Sequence, residues 1–189
     1  VKKRINCNSR FLKFCYYPIE LMVADTNTSI NANNILLGNS ASPSNNHIEA
    51  IDILRGFDLK KIKVITPLSY GSKEYGNYIK LEGIKQLNKN FLPLTDFMPL
   101  HEYNTYLHRC GIVVMNHYRQ QAVGNILTML WLGSKVYLDD RNPLYCYLKR
   151  IGVYVYSIKK DLNVYNKEAL LNLSYSQQQH NRQILKNEI

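Results

Sequence analysis

The chain has 189 residues, and its 46% hydrophobic and 20% charged content excludes disordered and fibrous proteins. The 24 Lys and Arg residues outnumber the 14 Asp and Glu residues, giving a formal net charge of +10. This balance favours an anionic partner, and charge alone leaves open whether that is a nucleic acid, a nucleotide-activated substrate or a membrane surface. No apolar run approaches the ~18 residues that a membrane-spanning helix needs.

The first 33 residues precede any regular pattern. Five basic residues come before the first acidic one, Glu20, and small polar residues at 26–34 are typical of a linker. We therefore expect a domain boundary near residue 34, with residues 1–33 as an interdomain segment or the remnant of a preceding domain. Because the sequence opens on Val1, we also expect it to be part of a longer protein.

From residue 34 onward, β-rich apolar runs alternate with helical patterns, as βα units require. The first half predicts a strand at 35–38, a helix beginning after residue 46, a strand at 62–66, a helix at 73–87 and a strand at 91–94. Asn46 and Glu49 have the spacing of a capping box. We expect Asn46 to cap this helix, and Ile48, Ile51 and Leu54 to form its inner face.

The second half continues the alternation. It predicts a helix at 101–109, a strand at 111–115, a helix at 122–132, a strand at 135–138, a helix at 143–150, a strand at 153–158 and a helix at 166–173. Gly133 ends one of these helices and Pro143 begins another. Residues 174–189 form either a final polar helix or a frayed end. The pattern predicts an α/β fold with a parallel sheet and helices on both of its faces.

Two polar loops follow the first and fourth strands. Ligands of such sheets bind beyond the carboxyl ends of the strands, where the strand order reverses. If these strands are neighbours, the loops at 38–47 and 116–125 meet there, each leading into a helix N-terminus that favours a phosphate. Arg119 adds a fork of donors, and Gly124 permits close approach of a backbone. Ordinary turn chemistry explains the Asn, Ser and Pro clusters equally well, so both interpretations stay open.

Each loop contains one histidine. We expect His47 in the first helical turn, where the helix dipole lowers its pKa and favours a neutral imidazole. His117, at the end of a buried strand, is more typical of a structural histidine than of a catalyst. Asp139 and Asp140 follow a later strand, and contact with a ribose or cation and a solvated turn are equally compatible with that position. No catalytic base is identified.

Several functional classes lack their motifs. Neither GxGxxG nor GxxxxGK[ST] occurs, which disfavours a dinucleotide or P-loop site. A hydrolase is disfavoured because GxSxG, HExxH and glycosidase-like carboxylate pairs do not occur. The four cysteines form no CxxC pair and have no companion His spacing, which indicates neither a zinc knuckle nor a redox pair. We predict no metal site and no cofactor. Without an RRM, KH or helix-turn-helix pattern, we do not expect nucleic acid as a partner.

Four segments carry a resemblance to a known family. They are residues 35–50 (ILLGNSASPSNNHIEA), 64–71 (VITPLSYG), 119–125 (RQQAVGN) and 131–137 (WLGSKVY). Together they resemble the 4-alpha-L-fucosyltransferase family, which is glycosyltransferase family 56. The likeness spans roughly residues 34–160, and the string at 38–50 is long and specific.

The resemblance implies a GT-B architecture in which this chain is the C-terminal, donor-binding domain. Residues 34–175 would form a Rossmann-like nucleotide-sugar-binding domain, and 176–189 a C-terminal helix or frayed tail. It implies transfer of a 4-acetamido-4,6-dideoxy-hexose, similar to N-acetylfucosamine, from a TDP-sugar to a polyprenyl-diphosphate-linked saccharide in surface polysaccharide biosynthesis. It also implies a cytoplasmic protein held peripherally on the inner face of the cytoplasmic membrane, and no metal requirement.

The resemblance also places candidate donor-binding residues in the two loops. The first loop contributes Gly38, Asn39, Ser40, Ser44, Asn45, Asn46 and His47, and the second contributes Arg119, Gln120, Gln121, Gly124 and Asn125. We assign Arg119 and the following helix start to the diphosphate, and the first loop to the diphosphate and sugar. Glu49 falls in the first motif and is also explained as a helix cap. The alternative function is a non-catalytic Rossmann-like nucleotide-binding or interaction module.

Overall fold

The computed structural model describes residues 30 and 32–188. The strands in this part are β1 (Asn34–Leu37), β2 (Val64–Pro67), β3 (Phe91–Leu94), β4 (Cys110–Met115), β5 (Lys135–Leu138) and β6 (Tyr156–Ser157). The α-helices are α1 (His47–Leu54), α2 (Lys73–Leu87), α3 (Leu100–Leu107), α4 (Val123–Leu132), α5 (Pro143–Arg150), α6 (Ile158–Asp161) and α7 (Tyr175–Glu188). Short 3₁₀ turns occur at Pro43–Asn45 and Asn88–Asn90.

The six strands form one sheet in the order β3-β2-β1-β4-β5-β6, and every pairing is parallel. Ile35 of β1 lies between Val64 of β2 and Ile112 of β4. The chain therefore builds outward from β1 in one direction, then returns to β1 and builds in the other. The strand order reverses between β1 and β4, as a doubly wound sheet requires.

Both faces of the sheet are buried, which explains why its strands are continuous apolar runs. Ile35, Leu37 and Ile112 point to one face, where they pack with residues of α1, α2 and α6. Leu36 and Val113 point to the other, where they pack with residues of α3, α4, α5 and α7. This two-residue alternation with helices on both faces confirms the predicted α/β Rossmann-like fold.

The N-terminus of α1 differs from the predicted capping box. Asn46 is at φ 47°, in the left-handed region, and its side chain makes no capping hydrogen bond. Its amide instead donates to the Asn116 carbonyl at 2.8 Å. On the inner face of α1, Ile51 and Leu54 are buried as expected, but Ile48 is only half-buried.

Two predictions near the C-terminus are wrong. The strand predicted at 153–158 is limited to Tyr156–Ser157, because the backbone N–H and carbonyl of Tyr154 both bond the Asn181 side chain of α7. The helix predicted at 166–173 is a series of turns, in which the Asn163 and Asn166 side chains accept backbone N–H groups. Such bonds compete with helix formation. The other helices and strands lie within two residues of their predicted bounds.

The end of the described chain is the helix α7, so the helical alternative predicted for the tail is observed up to residue 188. Leu185 of α7 is buried in the core. Most of the segment 1–33 lies outside the described residues, although Ile30 is buried and its N–H donates to the Leu132 carbonyl at 2.8 Å. Within the described chain, no helix has both the length and the apolar character to cross a membrane.

Candidate functional site

The loops after β1 and β4 meet at the carboxyl edge of the sheet, as the sequence predicted. Gln121 joins them through its side-chain amide, which accepts from Ser44 Oγ at 2.8 Å and donates to Asn39 Oδ1 at 3.2 Å. A second connection is reciprocal. The side-chain amides of Asn46 and Asn116 each donate to the other's backbone carbonyl, at 2.8 and 3.2 Å.

Asn45 is the buried centre of the first loop. Its Nδ2 donates to the backbone carbonyls of Ser40 and Ser42, at 3.0 and 3.2 Å. These two acceptors fix the amide orientation, so Oδ1 must accept. It does so from the Asn39 N–H at 3.0 Å and from His117 Nε2 at 2.8 Å. The loop is therefore held by hydrogen bonds from inside.

His47 and His117 are completely buried. Burial and, second, the nearby His117 lower the pKa of His47 to about 4. Burial and then the charge of Arg119 lower the pKa of His117 to about 4. His117 donates through Nε2, so its Nδ1 is the unprotonated nitrogen, and both imidazoles are neutral at physiological pH. This supports the structural interpretation of His117, and the neutral form predicted for His47 has burial as its main cause.

Gly38 is required by the packing of the same loop. Its φ is +66°, and a Cβ at this position would lie 2.6 Å from His47 Nε2 and 2.8 Å from Asn45 Oδ1. Only glycine accommodates both the left-handed backbone and this close approach. The hydroxyl of Ser40 also faces inward, at 3.3 Å from Asn45 Nδ2.

The loop after β4 turns outward. Tyr118, Arg119 and Gln120 are all exposed. No ion pair or side-chain hydrogen bond joins the Arg119 guanidinium to another described residue. At the start of α4, Ala122 is in the left-handed region and no side chain caps the helix, so the first N–H groups have no capping partner. Arg119 and the N-terminus of α4 together form a surface rich in hydrogen-bond donors.

Tyr118 is held from two sides. Its hydroxyl donates to Glu49 Oε2 at 2.7 Å, and that oxygen also accepts from Asn116 Nδ2 at 3.1 Å. Glu49 is therefore a link between α1 and the second loop, and not a helix cap. On the other side, the Arg141 guanidinium lies 3.5 Å from the centre of the Tyr118 ring, a cation–π contact. Arg141 also forms a two-pronged ion pair with Asp139, at 2.8 and 2.9 Å.

Asn142 supports the backbone of the second loop, and sequence analysis missed it. Its buried Nδ2 donates to the carbonyls of His117 and Arg119, at 3.1 and 3.0 Å, while its Oδ1 caps α5 through the Leu144 N–H at 2.9 Å. Asn before Pro143 was a readable cap signal. Its second role depends on a contact across 23 residues that no local pattern reveals.

Most of the predicted site residues are brought together, and a few are not. Side chains of the first loop and Gln121 form one hydrogen-bonded network, whose members are Asn39, Ser40, Ser44 and Asn45. His47 instead contacts the Tyr75 hydroxyl of α2 at 3.3 Å, and Asn125 donates to Tyr103 of α3 at 3.5 Å. Gln120 is exposed and its side chain makes no hydrogen bond to another residue of the described ranges, and Gly124 lies half-buried in the first turn of α4.

The acidic residues of this edge are all engaged by protein partners. Asp139 pairs with Arg141, whose hydrogen bonds hold the pKa of the carboxyl below its usual value, and Asp140 pairs with Lys160 at 3.3 Å. Within residues 30 and 32–188, no group of three or more His, Cys, Asp or Glu side chains has an arrangement that could hold a metal ion.

Solved structures share this fold at low sequence identity. The catalytic domain of cholesterol-alpha-glucosyltransferase from Helicobacter pylori is 17% identical, with a TM-score of 0.58 over 82% of this chain and 98% of that one. AviGT4, a glycosyltransferase involved in avilamycin A biosynthesis, is 12% identical, with a TM-score of 0.55 over 85% of this chain and 50% of that one. The N-terminal domain of Candida albicans trehalose-6-phosphate phosphatase is also 12% identical, with a TM-score of 0.61 over 83% of this chain and 38% of that one.

These likenesses confirm the predicted fold, which the chain shares with two glycosyltransferases and with a phosphatase domain. The chain spans half or less of the length of AviGT4 and of the phosphatase domain. In sequence, the family described as 4-alpha-L-fucosyltransferase, glycosyl transferase group 56, matches residues 3–181. The chain belongs to this glycosyltransferase family.

Proposed function

We propose that this chain is the donor-binding domain of a glycosyltransferase. The whole protein would transfer a 4-acetamido-4,6-dideoxy-hexose from a TDP-sugar to a polyprenyl-diphosphate-linked saccharide in surface polysaccharide biosynthesis. One observation carries the proposal. Two hydrogen-bonded loops meet where the strand order reverses, and they present Arg119 without an ion-pair partner among the described residues, in a chain of a glycosyltransferase family.

The second loop has the chemistry that a diphosphate requires. A guanidinium matches phosphate oxygens with a fixed fork of donors. The first turn of α4 adds N–H groups and the positive end of a helix dipole. All of these groups donate, as an acceptor-only phosphate demands, so we assign the diphosphate to Arg119 and the first turn of α4.

The same groups would act on the reaction. Cleavage of the sugar–phosphate bond leaves negative charge on the nucleoside diphosphate, and fixed donors aimed at that charge lower the barrier. The buried His47 and His117 do not take part as general acids, because with a pKa of about 4 both imidazoles are neutral at neutral pH and the imidazolium form that would give up a proton is not populated. Activation of the acceptor would come from a second domain.

A thermal-shift panel of TDP, UDP, GDP and CDP, with and without magnesium, tests nucleotide binding. A ligand that binds only the folded state adds about 2.7 kcal/mol of stability at one hundred times its dissociation constant. We expect a TDP-selective shift that does not need magnesium. If no nucleotide shifts either this chain or the full-length protein, the donor-domain proposal is contradicted.

Arg119→Ala tests the assigned site. It should weaken TDP binding by about tenfold to a hundredfold, as loss of a charge-assisted contact worth about 1.5–3 kcal/mol implies, and leave the melting temperature unchanged because the side chain is exposed. Arg109→Ala is the matched control, since Arg109 is exposed just before β4, at the opposite edge of the sheet. Equal losses of binding and melting temperature for Arg119→Ala would overturn the assignment.

A transfer assay on the full-length protein distinguishes a glycosyltransferase from the alternative, a non-catalytic nucleotide-binding or interaction module. We expect it to move the hexose from the TDP-sugar to a polyprenyl-diphosphate-linked saccharide. Nucleotide binding without transfer to any such acceptor would identify a non-catalytic nucleotide-binding protein.

We further propose that the protein is cytoplasmic and associates peripherally with the inner face of the cytoplasmic membrane. The net charge of +10 supports this, because basic surfaces are attracted to anionic lipids. The full-length protein should float with vesicles containing phosphatidylglycerol and be released by salt. Binding that is equal on neutral phosphatidylcholine vesicles would contradict an electrostatic attachment.

A further inference from the structure

A second concave surface lies beside the donor site, between the loops after β1 and β2. This serine groove is lined by Ser40, Ala41, Ser42, Pro43, Ser69, Tyr70, Gly71 and Ser72, and it encloses about 630 Å³. Both loops follow the carboxyl ends of neighbouring parallel strands. The groove therefore opens on the same edge of the sheet as the donor site, on the other side of the first loop from Arg119.

The groove is preformed by backbone hydrogen bonds. The Ala41 N–H donates to the Tyr70 carbonyl at 2.6 Å, and the Ser72 N–H donates to the Ala41 carbonyl at 2.9 Å. Gly71 is at φ +116°, and any side chain at its position would collide with the Ala41 backbone. A site made this way costs little ordering free energy when a ligand binds.

The hydroxyls in the groove can still both donate and accept hydrogen bonds. Ser44 Oγ gives its proton to Gln121, so in the 3.0 Å contact Ser42 Oγ must donate to Ser44 and keeps its lone pairs. Ser69 Oγ has no side-chain hydrogen bond to another described residue. Acceptors and donors thus stand side by side.

The wall of the groove adds an apolar surface without charge. The Tyr70 side chain is 80% exposed, and none of the lining residues is ionised at neutral pH. A phosphate would require donors and positive charge, which lie on the Arg119 side instead. A pyranose ring matches this lining, because its hydroxyls both donate and accept and its C–H face packs on an aromatic ring.

We propose that the serine groove is a saccharide subsite that holds one uncharged pyranose ring against Tyr70. This rests on the proposed function, and it divides the edge of the sheet into a diphosphate side at Arg119 and a sugar side at Ser42, Ser69 and Tyr70. The pyranose belongs either to the hexosyl group of the donor or to the saccharide of the acceptor. The two sources share the same chemistry.

Amide chemical shifts of the ¹⁵N-labelled chain, titrated with methyl α-L-fucopyranoside and with methyl N-acetyl-β-D-glucosaminide, test the subsite. At least one of the two should shift the amides of Ser42, Ser69 and Gly71. Tyr70→Ala should weaken that binding about threefold to tenfold, the range that loss of an aromatic contact implies. Tyr165→Ala is the matched control, because Tyr165 is 92% exposed and lies between α6 and α7.

Comparing TDP-glucose with TDP identifies the source of the sugar. If Tyr70→Ala weakens binding of TDP-glucose but not of TDP, the groove holds the donor hexose. If it weakens only the free glycoside, the groove holds the acceptor saccharide. Either result supports the subsite.

The subsite is overturned if neither glycoside shifts the groove amides, or if Tyr70→Ala binds as the wild type does. TDP binding that depends on Arg119 would in that case leave the donor-domain proposal standing. Conversely, glycoside binding in the groove without any nucleotide binding would contradict the donor domain and leave the subsite.

Discussion

The loops after β1 and β4 meet at one edge, yet they are built in opposite ways. The first loop points its polar groups inward, with Ser40, Asn45 and His47 buried. The second begins with the buried Asn116 and His117 and then turns outward, with Tyr118, Arg119 and Gln120 exposed. A buried polar group must find a partner inside the protein, whereas an exposed guanidinium remains available to a ligand.

This difference separates residues that support the loops, such as Asn45, from residues that are available to a ligand, such as Arg119. The side-chain amide of Asn45 is fully occupied by hydrogen bonds to Asn39, Ser40, Ser42 and His117, so it cannot bond a substrate. Among the residues that the structure describes, Arg119 accepts a hydrogen bond from Asn142 at its backbone carbonyl, and its guanidinium makes none. We therefore expect changes at the buried polar residues of this edge to lower stability, and changes at Arg119 and the residues that position it to alter nucleotide binding.

Gly38→Ala breaks the first loop most severely. A non-glycine residue in the left-handed region costs about 1–2 kcal/mol, and forcing a methyl group toward His47 and Asn45 costs about 1–3 kcal/mol more. Urea denaturation should therefore show a loss of several kcal/mol. Gly56→Ala is the control, because Gly56 is exposed and its added Cβ would lie 3.1 Å from a Val164 methyl, which can move. Similar losses for both variants would contradict the packing argument.

The two buried histidines, one in each loop, make this edge of the sheet sensitive to acid. His117 has a folded-state pKa of about 4 and an ordinary value of 6.5, so the unfolded chain takes up a proton first as the pH falls. Stability from the neutral form is complete above pH 6.5 and is lost between 6.5 and 4. At 1.36 kcal/mol per pKa unit this is about 3 kcal/mol for His117.

His117→Gln should flatten that pH dependence. A glutamine amide is uncharged and can still donate to Asn45 Oδ1, so the hydrogen bond is kept while the titrating group is removed. The melting temperature measured from pH 7.5 to 4 should fall less steeply than in the wild type. His101→Gln, exposed on α3, serves as the control. Parallel curves for wild type and His117→Gln would show that His117 does not drive the acid loss.

The strands were predictable because both faces of the sheet are buried. Ile112, Val113 and Val114 are apolar whichever way they point, so a short apolar run between polar loops defines the strand. Where the side chain of a distant residue determines the backbone hydrogen bonds, the local sequence pattern does not predict the secondary structure. Tyr154 lies in an apolar stretch typical of a strand, but Asn181 of α7 takes its backbone groups.

The candidate site was predictable in position but not in its internal contacts. The place where the loops meet follows from the order of the strands alone. Residue roles do not, because Asn45 to His117 spans 72 positions and Tyr118 to Glu49 spans 69. For this reason local spacing predicts a helix cap at Glu49, although its carboxylate accepts hydrogen bonds from Asn116 and Tyr118 in the loop after β4.

Asn142→Ser tests whether the hydrogen bonds from Asn142 position the backbone of the second loop. Serine still caps α5, but it is too short to donate to the carbonyls of His117 and Arg119. We expect TDP affinity to fall about tenfold, since loss of a net hydrogen-bond contribution of about 1–1.5 kcal/mol approaches that factor.

Asn166→Ser is the matched control for this prediction. Asn166 likewise donates to a backbone carbonyl, that of Asp161, and accepts a backbone N–H, that of Glu168, outside both loops of the site. Calorimetry should show unchanged TDP binding. If the two variants weaken TDP equally, or if Asn142→Ser lowers only the melting temperature, Asn142 does not position Arg119.

Glu49 gives the smallest expected effect. In Glu49→Gln an amide oxygen can still accept from Tyr118 and Asn116, and a negative charge beside an anion site is removed, so TDP affinity should stay equal or rise about twofold. Glu49→Ala frees both partners and should weaken TDP about threefold, consistent with about 0.5–1.5 kcal/mol for a hydrogen bond. Glu82→Ala, in α2, is the control. If Gln and Ala at position 49 give the same affinity, the carboxylate acts through its charge and not by holding Tyr118, and the second loop does not depend on α1 for its orientation.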